Sequence, residues 1–289
     1  MPDEAVDMRG KVCMVTGANA GIGRATALGL AITGATVVMV CRNKDRGQEA
    51  LAWVQQESGN SSVRLLLADL SSQASIHRLA TDFKALYPAL HVLINNAGII
   101  PRRRILTEDG LETQFAVNHL AYFLLTALLL DVLKAGAPAR IINVSSQLHG
   151  RAPLDFDDLQ SERSYNRVLV YARTKLANVL HSYELARMLE GTGVTANCLH
   201  PGVVATNLLA DATGLPRAIR FAVRVVRASP EAGAQTSLYL ATSPEVEGVT
   251  GKYFARQRAV PSSKSSYDQP AARRLWRISE ELTGLPSSG

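Results

Sequence analysis

Cysteine is scarce in this chain, with three among 289 residues, too few and too odd in number for a disulfide scaffold. Cys13, Cys41 and Cys198 fall in or at the ends of apolar, strand-like runs and are expected as reduced thiols in the core. Neither they nor the six histidines show a ligand spacing such as C-x-x-C or H-E-x-x-H, so no metal is expected. No run of apolar residues approaches the roughly 20 that a membrane span requires. The most apolar long segment, Leu120 to Leu133, is interrupted by Thr126 and Asp131 and reads as a buried helix. The start, Met1 to Asp7, is short and acidic and has neither the charged head nor the apolar centre of a secretion signal. A cytoplasmic protein without an anchor is the expectation. Internal repeats, low-complexity tracts and Pro/Ser linkers are missing too, which predicts a single domain over residues 1–289, with a core of about 10–255 and a helical extension of about 265–285. The net charge is +6, but the arginines do not form the aromatic-interleaved patch of a nucleic-acid reader, and no nucleic acid is expected.

What the chain does have is apolar residue, 47% of the total, arranged in short runs at a strand–helix rhythm. Strands are predicted near 11–16, 36–41, 63–68, 91–95, 139–144, 193–198 and 251–254, with helices in most gaps. Runs such as Val37-Val38-Met39-Val40 are continuously hydrophobic, as expected where helices cover both faces of a sheet. The fold class is therefore α/β, a doubly wound parallel seven-stranded sheet, and ligands belong at the carboxyl ends of its strands.

Directly after the first predicted strand stands Thr16-Gly17-Ala18-Asn19-Ala20-Gly21-Ile22-Gly23. Glycines there allow a tight turn and close approach of backbone to a pyrophosphate, and the helix that follows offers unpaired N–H groups and its positive dipole end. Downstream, Tyr171-Ala172-Arg173-Thr174-Lys175 puts a phenol and an ammonium on one helix face. An ammonium beside a phenol is expected to lower the phenol's pKa and make it usable as an acid or base near neutrality.

Together with Asn95-Asn96-Ala97-Gly98, Asn118, Asn143-Val144-Ser145-Ser146 and His200-Pro201-Gly202, these residues resemble the short-chain dehydrogenase/reductase family, in the expected order over roughly residues 10 to 255. The "CRN" after the second strand and the segment Asp157 to Glu162 look most like the retinol dehydrogenase and carbonyl reductase branch. The resemblance implies a Rossmann-type sheet and a nicotinamide dinucleotide. It also implies hydride transfer to or from an apolar carbonyl or alcohol. By resemblance, Tyr171 is the proton donor, Ser146 holds the reacting oxygen, Lys175 tunes the tyrosine and binds the nicotinamide ribose, and Asn118 steadies a water. Further cofactor contacts implied are Gly17, Asn19, Ala20, Gly21, Ile22 and Gly23 at the pyrophosphate, and Asp69 and Leu70 at the adenine. Asn95, Ala97 and Gly98 are placed along the ribose, and Pro201, Gly202, Val204 and Thr206 around the nicotinamide. Asp69 also suits a cap for the helix starting near Ser71.

Cofactor preference is argued from the end of the second strand, where a carboxylate would bind the ribose hydroxyls of NAD. Here Cys41-Arg42 stands instead, and a guanidinium suits the 2′-phosphate of NADP(H). Of the paired serines, Ser146 is chosen because the family's pattern places the second hydroxyl at the substrate and because Ser145 points to the opposite side in an extended segment. His149 and His200 near Ser146 and Asp155 invite a serine-hydrolase reading, but Val144-Ser145-Ser146-Gln147 is no nucleophile elbow. His149 is expected instead at the substrate entrance, and His200 beside the cofactor loop. Arg217, Arg220, Arg224 and Arg227 recur at helical spacing beside apolar residues, and the resemblance places a substrate-covering lid there, expected as a helix with a solvated basic face or one that touches anionic membranes. Helices 110–133 and 165–189 resemble those through which family members pair, predicting a homodimer or homotetramer. A catalytically silent NADP-binding regulator is the alternative. It has no use for the whole set Asn118, Ser146, Tyr171 and Lys175.

Overall fold

The structure, a computed structural model, describes residues 6–202 and 229–286. Val204, Thr206 and the basic stretch 217–227, singled out above, lie outside the described residues. Strand β1 (Val12–Thr16) leads into helix α1 (Gly21–Ile32), then β2 (Thr36–Cys41), α2 (Lys44–Ser58), β3 (Val63–Leu67), α3 (Gln73–Leu86) and β4 (Val92–Asn95). A long helical passage follows, made of α4 (Thr113–Phe115), a π-turn (Ala116–Leu120), α5 (Ala121–Leu128) and α6 (Leu130–Ala135). Then come β5 (Ala139–Val144), a 3-10 turn (Gln147–Arg151), α7 (Arg167–Met188) and β6 (Val194–His200). The chain closes with α8 (Pro230–Thr242), β7 (Tyr253–Ala255), β8 (Arg258–Ala259) and α9 (Gln269–Thr283).

One sheet holds all the strands, in the order β3-β2-β1-β4-β5-β6-β7-β8. Every neighbouring pair is parallel except β7 and β8. Seven strands stand within a few residues of their predicted positions. The eighth is a correction: two exposed residues too short to show periodicity, folded back after Arg256 and Gln257, both at positive φ.

Alternation along the strands divides the core between the two faces. Cys13, Val15, Val37 and Met39 pack under α1, α2 and α8, whereas Met14, Val38 and Val40 face α3, α5 and the far side. Both faces are covered, which is why these strands read as continuous apolar runs. All three cysteines are free and buried.

Most helices begin on a side-chain cap: Asn43 for α2, Ser72 for α3, Asn166 for α7, Ser229 for α8 and Asp268 for α9 each accept a first-turn N–H. Helix α1 is different, because its N-cap Ala20 offers no side-chain acceptor. Its first-turn amides open onto the end of the sheet, where β1 and β4 part.

Helix α9 packs through Ala272 and Leu275 on Leu176, Ala177 and Leu180 of α7 and on Phe115 and Leu120. It covers part of the face expected to pair two chains, so a partner arriving there meets α9 as well. No helix among the described residues is long and apolar enough to cross a membrane.

Candidate active site

At the carboxyl ends of β1, β4 and β5 lies a cleft of about 640 Å³. Its floor is the turn between β1 and α1. Gly17 is at φ +67, and a Cβ there would stand 2.9 Å from the Ala97 Cα. A Cβ on Gly23 would stand 2.3 Å from the Gly17 oxygen and 2.5 Å from the Asn96 Nδ2. No side chain fits at either position, so the motif is needed for the turn to pack against the exit of β4. Thr16 ties the two together: its hydroxyl accepts from the backbone N–H of Asn96 (2.9 Å) and Ala97 (3.1 Å). Gly17, Asn19, Ala20, Gly21, Ile22 and Gly23 all line the cleft. The glycine turn, closed to a Cβ at Gly17 and Gly23, and the uncapped start of α1 fit a pyrophosphate.

Arg42, Asp69 and Leu70 line the opposite end. The exposed Arg42 guanidinium stands 3.7 Å from one Asp69 oxygen, while the other accepts from the Ser71 N–H (2.9 Å) and hydroxyl (2.6 Å). Asp69 thus organises the turn before α3, which Ser72 caps. An exposed ion pair of this kind contributes at most about 1 kcal/mol, so Arg42 is readily drawn to a stronger anion.

Ala97 and Gly98 line the cleft, but Asn95 does not. Asn95 is fully buried and donates to the Thr126 hydroxyl (3.1 Å) and to Asn143 Oδ1 (2.9 Å), as part of a polar ladder across β4 and β5. Its neighbour Asn96 takes the place in the lining and donates to the Thr16 carbonyl (2.8 Å). Side chains alternate across an extended chain, and where both residues are asparagine the sequence does not tell the two phases apart.

Asn118 sits in the π-turn, fully buried. Its Oδ1 accepts from the Ile99 N–H (2.8 Å), and its Nδ2 donates to the Ile99 carbonyl (3.0 Å) and the Thr174 hydroxyl (3.3 Å). The widened helical turn carries this side chain to the strand exit, one residue from Lys175 on α7. A Cβ on Gly98 would lie 3.5 Å from Asn118 Oδ1 and 3.7 Å from Lys175 Nζ, so these groups surround one point.

Ser146, Tyr171 and Lys175 meet at the inner end. Ser145 turns away and donates to the Lys175 carbonyl (2.7 Å). The Ser146 hydroxyl lines the same cleft as the Tyr171 phenol and favours its ionised form. Lys175 Nζ donates to the Val144 carbonyl (2.8 Å) and lies 5.6 Å from the centre of the Tyr171 ring. Burial pushes the Tyr171 phenol up to about 12, against the lowering influence of the Ser146 hydroxyl, and brings the Lys175 ammonium down to about 8. The expected lowering of the tyrosine is therefore corrected, because desolvation of the phenolate outweighs its neighbours and the ammonium is turned to a carbonyl.

Pro201 and Gly202 complete the rim, and His200 Nδ1 accepts from the Gly202 N–H (3.1 Å), beside the loop as expected. His149 does not line an entrance: it is buried and bonded at both ring nitrogens. Among the described residues no group of acidic, histidine and cysteine side chains could hold a metal.

A dinucleotide cradle, a basic terminus and a Ser–Tyr–Lys cluster on one cleft are joined by direct comparison. The family model for short chain dehydrogenases matches residues 11–214. The chain belongs to the short-chain dehydrogenase family. Within it, human retinol dehydrogenase 14 is 46% identical over 96% of this chain and 88% of that protein. An uncharacterised protein from Mycobacterium paratuberculosis superposes with a TM-score of 0.80, at 32% identity, over 98% of this chain and 96% of the other. A protein from Beutenbergia cavernae described as an NAD(P)-dependent gluconate 5-dehydrogenase, solved with NADP at low occupancy, aligns with a TM-score of 0.70 at 28% identity, over 86% of this chain and 96% of the other. This short-chain dehydrogenase is an oxidoreductase of the retinol dehydrogenase branch, acting on CH–OH or C=O groups with a nicotinamide dinucleotide.

Proposed function

We propose that the enzyme uses NADP(H) and interconverts apolar aldehydes or ketones, retinoid-like compounds among them, with their alcohols. The observation that carries the cofactor reading is Arg42 directly after β2, exposed and, among the described residues, held by an ion pair to Asp69. It is a guanidinium at the point where a 2′-phosphate has to be met. Bound NADPH supplies the hydride from its nicotinamide C4. Tyr171 gives its proton to the oxygen that gains charge, and Ser146 donates a hydrogen bond to the same oxygen. Lys175, largely protonated at neutral pH with its pKa brought down to about 8, keeps a positive charge beside that oxygen and the ribose. Asn118 fixes the backbone at Ile99 and the hydroxyl at Thr174, and so the spacing between the strand exit and α7. The assembly in this reading is a homodimer or homotetramer whose contact includes α9.

NADPH and NADH oxidation against a panel of apolar aldehydes and ketones tests the reading. Replacing Arg42 with Ala is expected to raise KM for NADPH about 10- to 100-fold, the worth of one or two charge-assisted hydrogen bonds, and to leave KM for NADH nearly unchanged. Equal effects on both cofactors would refute the assignment of Arg42.

A further inference from the structure

Three donors converge on the backbone carbonyl of Ser146. The His149 N–H reaches it at 3.0 Å, His149 Nδ1 at 2.8 Å, and the Tyr253 hydroxyl at 3.4 Å. The imidazole is buried and packs against the Tyr253 ring, with centroids 4.7 Å apart. Its other nitrogen, Nε2, faces the backbone N–H of Ser263 at 3.0 Å. An amide N–H can only donate, so Nε2 is the acceptor and carries no proton. The neutral ring then holds its proton on Nδ1 and gives it to the Ser146 carbonyl. Burial favours that neutral ring by pushing the imidazole pKa down.

We infer that His149 is a positioning residue for the reaction: its Nδ1–H holds the Ser146 backbone so that the serine hydroxyl meets Tyr171 and the reacting oxygen. The inference rests on the reductase reading above. The Ser146 side chain has little else to fix it, since among the described residues its hydroxyl accepts one N–H, from Leu148 at 3.2 Å. The segment that sets the tautomer is far along the chain. Ser263 belongs to a strap of serines after β8, in which Ser262 bonds Tyr183 of α7 at 2.7 Å and Ser266 at 2.6 Å. Strap, imidazole and serine carbonyl form one line from α7 to the catalytic hydroxyl. Small misplacements of such a hydroxyl are costly in rate.

Two substitutions separate the bonds. In His149→Asn the amide nitrogen stands where Nδ1 stands and still donates to Ser146, but the tie to Ser263 is lost. In His149→Gln the amide oxygen reaches toward Ser263, but the donor to Ser146 is lost. Steady-state kinetics with NADPH and the best aldehyde of the panel, melting temperature and NADPH affinity are measured for both. The expected result is kcat within about threefold of wild type for His149→Asn and about 10- to 100-fold lower for His149→Gln, with NADPH affinity within about twofold in each. The reverse order, with Gln recovering both melting temperature and kcat, would make the ring a fastener of the strap and overturn the inference. So would equal losses in the two variants, or imidazole 15N shifts that place the His149 proton on Nε2. A wild type that oxidises NADPH with no carbonyl of the panel sinks the reductase reading and this role with it. An active wild type with Asn slower than Gln sinks this role alone.

Discussion

Replacing Tyr171 with phenylalanine is expected to lower turnover about 100- to 10,000-fold, the range for loss of a positioned general acid, while NADPH affinity stays within about a factor of two. The phenyl ring keeps the packing of α7 against the cleft, and only the hydroxyl is lost. In the proposed reading, cofactor binding falls mainly on Gly17 to Gly23 and Arg42, which line the cleft away from Tyr171. The buried phenol, pushed up to about 12, also sets the direction in which pH acts. It is protonated throughout the neutral range and so fully in the form that reduction needs. Alcohol oxidation needs the phenolate, whose fraction grows tenfold per pH unit below the pKa. Oxidation is therefore expected to accelerate from pH 7 to about 8 and to level off above it, as Lys175 gives up its proton. Reduction is expected to hold level and then fall above about pH 8, where Lys175 gives up its proton. Parallel pH profiles in the two directions would show that another group carries the proton. A Tyr171→Phe variant as active as wild type would do the same.

The parts of this site legible in the sequence are those whose signal is local. Strands buried on both faces announce themselves as unbroken apolar runs, and Val37 to Val40 is one of them. The turn from Gly17 to Gly23 is demanded by contacts closer than any side chain allows, so the glycines have to be there. Tyr171 and Lys175 sit four apart on one helix. What could not be read depends on distance or phase. Asn95 and Asn96 are the same residue type on opposite sides of a strand end, and distant partners, Thr126 on α5 and Asn143 on β5, decide which of them is buried. The role of His149 depends on Ser263, 114 residues further on. The tyrosine's high pKa comes from burial, which no spacing between Tyr and Lys reveals. Helix α9 was placed as an extension, but that it would lie on α7 follows only from the paired apolar faces of the two.

That same seam makes the fold sensitive to acid. His119 in the π-turn and His181 on α7 are buried with ring centres 6.0 Å apart, and His181 stacks on Trp276 of α9 at 5.4 Å. His119 Nε2 pairs with the Ser279 hydroxyl at 3.0 Å. On the α9 side the Trp276 indole also donates to the Glu280 carboxylate at 2.8 Å. Burial pulls the two imidazoles down to about 4 and about 3. In the unfolded chain both titrate near 6.5. Because the folded values are depressed, the neutral rings contribute their full stability above about pH 6.5. That stability is lost as pH falls toward 4, when the unfolded state takes up protons that the folded state refuses. At about 1.4 kcal/mol per pKa unit, the pair removes several kcal/mol by pH 4, out of a typical total of about 5–15. His91, His149 and His200 are pushed down by burial as well and act in the same sense. Far-UV circular dichroism from pH 7 to 3 is expected to show cooperative loss of helix between about pH 5 and 4. His181→Phe keeps the aromatic stack on Phe123 and Trp276 while removing one titrating ring, and should move the midpoint to lower pH. An unchanged midpoint in that variant would mean that the carboxylates, and not this buried pair, govern acid unfolding.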